Sequence, residues 1–247
     1  FGAWHLLYSK LLSLRGRIGV LWTSSIGEMD FTPVEWEYLD AILKDPRIEF
    51  VWFGDPALAQ LFPEKGFYAP YPLAPMEPIQ VEKQDIITLF CPTGPKKNVA
   101  NQLAAVALVQ KEKPWVLHTN LADYKAVMDF FKVQYVLHSW LPQEEYHRLL
   151  ASTRLNLAVS WSETFNYGVA EASLLGTVSV VSPAVEWMPD CCKVANPNSP
   201  RDIAKRVQAV GPLAETCPRD IRDYVLREAQ KWNASLLAAL QGRGLLS

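Results

Sequence analysis

Short apolar runs rich in β-branched residues alternate with helical patterns along most of the chain, and this alternation constrains the fold more than any other feature. The runs mostly lack polar alternation, which is typical of parallel strands that helices cover on both faces. Between the runs, apolar residues recur at helical spacing. The repeated order of strand, helix and strand predicts an α/β protein with an open parallel sheet.

The pattern predicts seven strands, at Ile18–Trp22, Phe50–Gly54, Ile86–Phe90, Trp115–His118, Val133–Leu137, Leu155–Ser160 and Val178–Ser182. It predicts helices at Pro33–Lys44, Val99–Lys111, Ala122–Phe131, Gln143–Ala151, Gly168–Leu175 and Arg201–Val210. A long final helix is expected at about Asp220–Leu240, where apolar side chains recur at helical spacing.

The composition excludes several classes of protein. The 247 residues are 49% hydrophobic and 20% charged, unlike disordered, collagen-like or small disulfide-rich chains. With 24 basic and 26 acidic residues, the charge gives no reason to expect a nucleic-acid partner. Four cysteines, of which Cys191 and Cys192 are adjacent, do not indicate a disulfide framework, and the four histidines show no metal-binding spacing. We therefore expect a cytoplasmic protein that needs no metal or other cofactor.

A proline-rich segment divides the chain. Ala69–Pro78 can form neither a helix nor a central strand, so we interpret the region near residues 69–82 as an extended linker. Residues 1–80 show only two clear strands, too few for an independent Rossmann domain. Residues 83–218 show at least five strands, enough for a complete one, and residues 219–247 form the final helix.

The strongest chemical signal lies between Leu155 and Pro183. A strand is followed by a polar turn and then by a helix that stops at Gly176, a residue type that favours helix ends. Two carboxylates, Glu163 and Glu171, bracket the turn with seven residues between them. Ligands of open α/β sheets bind outside the carboxyl ends of the strands, and the backbone amides at a helix start can hold a phosphate. The segment therefore predicts an anion-binding crevice flanked by two acids.

The order S-x-x-E-x-F-x-x-x-x-x-E-A over residues 160–172, followed by Gly176 and a buried strand, resembles retaining glycosyltransferases of the two-Rossmann (GT-B) fold, the glycosyl transferases group 1 family. Ile87–Gln102 looks like the first strand and basic loop of that family's C-terminal domain. Tyr135–Leu149 is similar to the stretch before the glutamate motif, and the match covers about residues 85–210. The resemblance implies two Rossmann-like pieces, with the C-terminal nucleotide-sugar domain complete and the N-terminal one partial.

The resemblance also implies a reaction. A sugar would move from a nucleotide-diphosphate-sugar donor to a sugar, lipid or protein acceptor, with retention at the anomeric carbon. Glu163 would lie near the transferred sugar and its leaving diphosphate, and either Lys96 or Lys97 would pair with that diphosphate. We take Glu163 and Lys97 as the catalytic pair. Glu171 would bind the ribose hydroxyls. The remaining donor-binding positions are Lys96 and Gly94 in the basic loop, Thr164, Phe165 and Asn166 in the glutamate turn, and Leu137 and His138 beside the base.

The sequence departs from the family in two ways. Thr164 and Asn166 stand where glycines often flank the phenylalanine, and the arginine a few residues before the lysine is absent. Two other functions stay open: an epimerase or hydrolase of nucleotide sugars on the same fold, and a non-catalytic binding or scaffold protein with a degenerate site. The lysine pair can also be a solvated basic patch without a function.

The start of the chain carries apolar residues at helical spacing over Trp4–Leu14, beside basic residues. Such a helix can lie on a membrane surface or be buried against a further domain or a partner chain. Because the first piece has few strands, we expect residues upstream of Phe1 or a partner to complete it. We likewise expect the final helix to pack back on this piece, and the 247 residues alone not to be a competent enzyme.

Overall fold

All strands within the described residues, which are 18–30, 32–69, 71–212, 218–242 and 244, pair in parallel and form two sheets. The computed structural model thereby confirms the predicted α/β class. The chain divides into two units, Phe1–Tyr71 with Ala234–Ser247, and Pro72–Asn233. The predicted amphipathic segment Trp4–Leu14 lies outside the described residues. Within them, no helix is long and apolar enough to cross a bilayer.

The sheet of the first unit has three strands, which pair in the order β1 (Ile18–Trp22), β2 (Ile48–Phe53) and β3 (Gly66–Tyr68). Its helices are α1 (Ile26–Met29), α2 (Val34–Lys44) and α3 (Pro56–Leu61). The prediction of only two strands here was wrong. The third strand has three residues and is defined by its pairing with β2, which a local pattern does not show.

The sheet of the second unit positions the site. Its strands are β4 (Gln84–Leu89), β5 (Val116–Thr119), β6 (Tyr135–Leu137), β7 (Thr153–Ala158) and β8 (Val178–Val181). They lie in the order β6-β5-β4-β7-β8. After β4, the chain therefore adds β5 and β6 on one side of this strand and then β7 and β8 on the other side. In open parallel sheets, the crevice where the strand order reverses is the usual place for a ligand, and here it lies between β4 and β7.

Helices connect these strands. They are α4 (Val99–Gln110), α5 (Lys125–Phe131), α6 (Gln143–Ser152), α7 (Tyr167–Leu174) and α8 (Pro200–Val210), followed by the final helix α9 (Pro218–Gly242). Short 3-10 turns lie at Pro95–Lys97, Ala122–Tyr124 and Asp190–Cys192. The sequence-predicted bounds of the strands differ from these by two residues or fewer, because a strand ends where its neighbour stops pairing and not where its apolar run stops.

A line of three polar side chains crosses the apolar core of the second unit. Thr88 on β4, Asn156 on β7 and Ser179 on β8 are direct neighbours in the sheet. The Thr88 hydroxyl donates to Asn156 Oδ1 at 3.2 Å, and Asn156 Nδ2 donates to Ser179 Oγ at 3.0 Å. All three are buried. Buried polar groups are retained when they are hydrogen-bonded, so this line fixes how the three strands are aligned.

The first part of α9 packs within the second unit. The Trp232 ring meets Phe165 at 5.1 Å and Trp187 at 5.4 Å, both edge-on, and the Tyr224 hydroxyl donates to the Trp187 carbonyl at 2.6 Å. Arg222 donates to the carbonyl of Leu174 at 3.0 Å, at the end of α7. The expectation that α9 packs on the first unit stays a prediction.

Candidate functional site

A cavity of about 590 Å³ opens at the carboxyl ends of β4 and β7, where the strand order reverses. Its walls come from the segments that follow β4, β5, β6 and β7 and from α6 and the start of α7. The lining residues include Phe90, Cys91, Lys97, Gln102, Asn120, Trp140, Tyr146, His147, Asn156, Glu163, Thr164, Asn166, Tyr167, Gly168 and Glu171.

Lys97 and Glu163 form a buried ion pair in this cavity. Lys97 Nζ lies 2.6 Å from Glu163 Oε1, and the two side chains are 11% and 5% exposed. Lys97 ends the 3-10 turn Pro95–Lys97, and the left-handed backbone of Asn98, with φ 52°, then redirects the chain into α4. The two residues predicted as the catalytic pair are therefore brought into direct contact, although 66 positions separate them.

The first turn of α7 forms another part of the cavity wall. Asn166 stands before this helix with φ 66°, and its side-chain oxygen accepts from the Val169 amide at 3.1 Å. The first amides of a helix have no acceptor within the helix, and the helix dipole makes this end positive. Since Tyr167 and Gly168 line the cavity, this end of α7 can bind an anion.

Glu171 lies about one turn into α7 and also lines the cavity. Burial raises the pKa of its carboxyl, and the neighbouring His147 partly offsets this rise. His147 Nε2 is 3.9 Å from Glu171 Oε1, too far for a hydrogen bond, and among the described residues this buried nitrogen has no hydrogen-bond partner. Glu171 thus presents an acceptor to the cavity, with the His147 imidazole as its neighbour at 3.9 Å.

The raised pKa of Glu171 makes the ionised carboxylate unfavourable to the fold. A carboxyl with a raised folded-state pKa lowers stability above that pKa, and the effect disappears below its unfolded value of 4.5. We expect Glu171→Gln to raise the melting temperature by about 2 °C at pH 7, and by less at pH 4. Glu145→Gln, on the exposed face of α6, is the control. A melting temperature that falls at pH 7 would contradict this expectation.

The structure places the other predicted residues in different surroundings. Thr164 and Asn166 line the cavity. Phe165 is buried behind it, stacked on Trp187 at 5.4 Å. Lys96 is outside the lining, and its carbonyl accepts from the Trp161 amide at 2.8 Å. Gly94 is outside the lining and has free space around its Cα, because a Cβ added there would meet no atom within 4 Å.

Leu137 ends β6 and His138 directly follows it, and neither residue lines the cavity. The His138 ring lies 5.7 Å from Phe90, which is a lining residue. His138 Nε2 is 3.0 Å from His118 Nδ1, and burial lowers the pKa of both imidazoles. The neutral form of both imidazoles is therefore favoured, and His138 packs against Phe90 in the cavity wall.

Several lining residues gave no signal in the sequence. Tyr146 and His147 lie on α6, and Tyr146 meets Phe90 edge-on at 5.5 Å. Asn120 accepts from the Cys91 amide at 3.2 Å, and burial raises the pKa of the Cys91 thiol to about 11, which keeps it neutral. Gln102 is 1% exposed and bonds to two backbone groups. Most of them lie within segments that resemble the family, but the resemblance gave none of them a role, since each is placed by packing between distant segments.

No protein-family model matches the chain, and no curated protein matches its sequence. Solved structures do match its fold. S. aureus TarM, solved as a mutant in complex with Fondaparinux, alpha-GlcNAc-glycerol and UDP, has a TM-score of 0.72 at 14% identity over 94% of this chain and 52% of that one. A UDP-forming trehalose-phosphate synthase from Burkholderia xenovorans has a TM-score of 0.65 at 13% identity, covering 94% of this chain and 70% of that one.

The catalytic domain of cholesterol-alpha-glucosyltransferase from Helicobacter pylori matches 58% of this chain over 98% of its own length, with a TM-score of 0.52 at 17% identity. The match covers 52% of the TarM chain, so this chain spans about half of that protein's length. Similarity at this level of identity establishes the fold. The described sheets and helices are those of the GT-B fold, which these glycosyltransferases share.

Proposed function

We propose that the second unit binds a nucleoside diphosphate sugar and that the protein transfers the sugar to an acceptor with retention of configuration. The observation that carries this proposal is the convergence of Lys97, Glu163 and the start of α7 on one cavity at the strand-order reversal. The fold shared with glycosyltransferases supports it, and so does the spacing of Glu163 and Glu171. The chain covers only part of the matching proteins, so the reaction of the whole protein belongs to the proposal.

Each group has a distinct role in the proposed reaction. Negative charge grows on the diphosphate as the sugar leaves, and the Lys97 ammonium and the first amides of α7 are the groups that stabilise it. Glu163 lies beside Lys97, where it can contact the transferred sugar. Glu171 accepts hydrogen bonds from the ribose hydroxyls. The Trp140 side chain, 89% exposed and part of the lining, offers a face on which a base can stack.

TarM was solved in complex with UDP and the trehalose-phosphate synthase is UDP-forming, so uracil is the first base to test. We expect UDP, GDP, ADP or dTDP to raise the melting temperature, since a ligand present at 100 times its dissociation constant stabilises the fold by about 2.7 kcal/mol. Absence of any shift at millimolar concentration would contradict the proposal. With a nucleotide sugar and no acceptor, rapid release of free sugar would instead indicate a hydrolase, and an isomerised sugar an epimerase.

Glu171→Gln is expected to weaken UDP and uridine binding by a similar factor, about tenfold, because a carboxylate accepts hydrogen bonds more strongly than an amide. Isothermal titration of both ligands checks this expectation. The exposed Glu145→Gln variant on α6 should bind both ligands like the wild type. Unchanged uridine affinity in Glu171→Gln would show that this carboxylate does not meet the ribose.

A further inference from the structure

Gln102 is a buried polar residue on the apolar face of α4. It is 1% exposed, and its helix neighbours Leu103 and Val106 belong to the core of the second unit. Burying an amide among apolar side chains is unfavourable unless both of its ends are hydrogen-bonded. Its contacts therefore explain why an amide can occupy this position.

Both ends of the Gln102 side chain bind backbone groups of distant segments. Its Nε2 donates to the Lys97 carbonyl at 2.8 Å, and its Oε1 accepts from the Val159 amide at 2.9 Å. Lys97 belongs to the basic turn after β4, whereas Val159 directly follows β7 and stands four positions before Glu163. One side chain thus joins the two segments that carry the ion pair.

A second bond runs beside this bridge. The Trp161 amide donates directly to the Lys96 carbonyl at 2.8 Å. Two successive carbonyls of the basic turn are therefore held by the segment after β7, one directly and one through Gln102. With the backbones fixed in this way, Lys97 Nζ and Glu163 Oε1 meet at 2.6 Å.

We propose that Gln102 is a positioning residue that aligns the basic turn with the glutamate turn and so holds Lys97 against Glu163 in the cavity. Its effect on ligand binding rests on the proposed function, because it acts through the Lys97 ammonium on the diphosphate. Its effect on the ion pair does not depend on any ligand. The two effects can be measured separately.

The test compares Gln102→Met with Gln110→Met. Methionine is close to glutamine in size, favours helices and fills apolar space, but it lacks the amide that bridges the two segments. Gln110 is a matched control on the same helix. Its amide also bridges backbone groups, donating to the carbonyls of Trp115 at 2.7 Å and Gln134 at 2.9 Å, but it does not line the cavity.

The first measurement needs no ligand. Acetylation of Lys97 by an N-hydroxysuccinimide ester, followed by mass spectrometry, reports how well this ammonium is protected. We expect Lys97 to react about fivefold faster or more in Gln102→Met and at the wild-type rate in Gln110→Met, because only the first change opens the basic turn. Equal protection of Lys97 in all three proteins would overturn the proposal.

The second measurement uses UDP and uridine as probes. In the wild type, the ratio of the two affinities reports the contribution of the diphosphate contacts. We expect Gln102→Met to reduce this ratio about tenfold without changing uridine affinity, because the displaced basic turn carries Lys97 away from the diphosphate as well as from Glu163. Gln110→Met should leave the ratio unchanged. A role in stability alone would lower the melting temperature of both variants and leave the ratio intact, which would contradict positioning.

The two readouts separate the two hypotheses. If wild-type protein binds UDP no better than uridine while Lys97 still becomes reactive in Gln102→Met, the proposed function fails and the positioning role holds. If Gln102→Met does not fold, hydrogen exchange of the wild-type Val159 amide decides. Slow exchange supports the bond to Gln102, and exchange as fast as that of an exposed amide overturns it.

Discussion

Replacing Lys97 by methionine is expected to lower the free energy of unfolding by about 3 kcal/mol at pH 7, because it leaves the carboxylate of Glu163 buried without its partner. The Glu163 side chain is only 5% exposed and lies 2.6 Å from the ammonium that the change removes. Equilibrium urea unfolding followed by tryptophan fluorescence measures the loss. The double variant Lys97→Met with Glu163→Gln should recover most of it, since neither charge then remains.

The control for this prediction is Lys125→Met. Lys125 forms an equally short ion pair, at 2.6 Å to Asp129, but the two side chains are 59% and 50% exposed. Exposed ion pairs contribute little to stability because water and salt screen them, so this variant should unfold close to the wild type. Equal losses of unfolding free energy in Lys97→Met and Lys125→Met would mean that burial does not make the Lys97–Glu163 pair more important for stability.

Replacing Glu163 by glutamine is expected to separate nucleotide binding from sugar transfer. The Lys97 ammonium is paired with Glu163, so a bound diphosphate would compete with this carboxylate for it. With glutamine in its place, we expect UDP to bind about tenfold more tightly or better, because a negative charge leaves the anion site. Transfer should fall about 100-fold or more, since the group beside the transferred sugar loses its charge.

Comparing UDP with uridine shows whether the change in affinity comes from the diphosphate contacts. Uridine lacks the diphosphate, so its affinity should be the same in Glu163→Gln and in the wild type. Glu171→Gln provides the matched contrast, because we expect it to weaken both ligands. Weaker UDP binding in Glu163→Gln would show that Glu163 does not restrain Lys97. Retained transfer would show that Glu163 is not part of the reaction.

The local pattern was enough to predict the elements around the site. The unit made of β7, the polar turn, α7 and β8 is continuous in sequence, and Gly176 ends its helix with φ 76°, as its residue type suggested. The short helix α3 was missed, although Asp55 followed by Pro56 is a typical helix start, with the carboxylate accepting from the Ala57 amide at 2.8 Å.

The chemistry of the cavity was predictable only where spacing carried it. Glu163 and Glu171 stand on one continuous segment, so their relation is visible in the sequence. Spacing did not choose between Lys96 and Lys97, and the structure places only Lys97 in the cavity. Gln102 and His147 were missed because their partners, Val159 and Glu171, are 57 and 24 positions away. Only the pairing of the strands and the packing of α6 bring them together.

The polar line of Thr88, Asn156 and Ser179 bears on how reliably the chain reaches this arrangement. The sheet would otherwise offer similar apolar surfaces to a strand displaced along its neighbour. A displacement of β7 by one residue would turn the Asn156 amide away from both partners, at a cost of about 1–3 kcal/mol for each buried group left unbonded. A misaligned β7 is therefore disfavoured relative to the native register, and the three polar side chains help to set the height at which Glu163 meets Lys97.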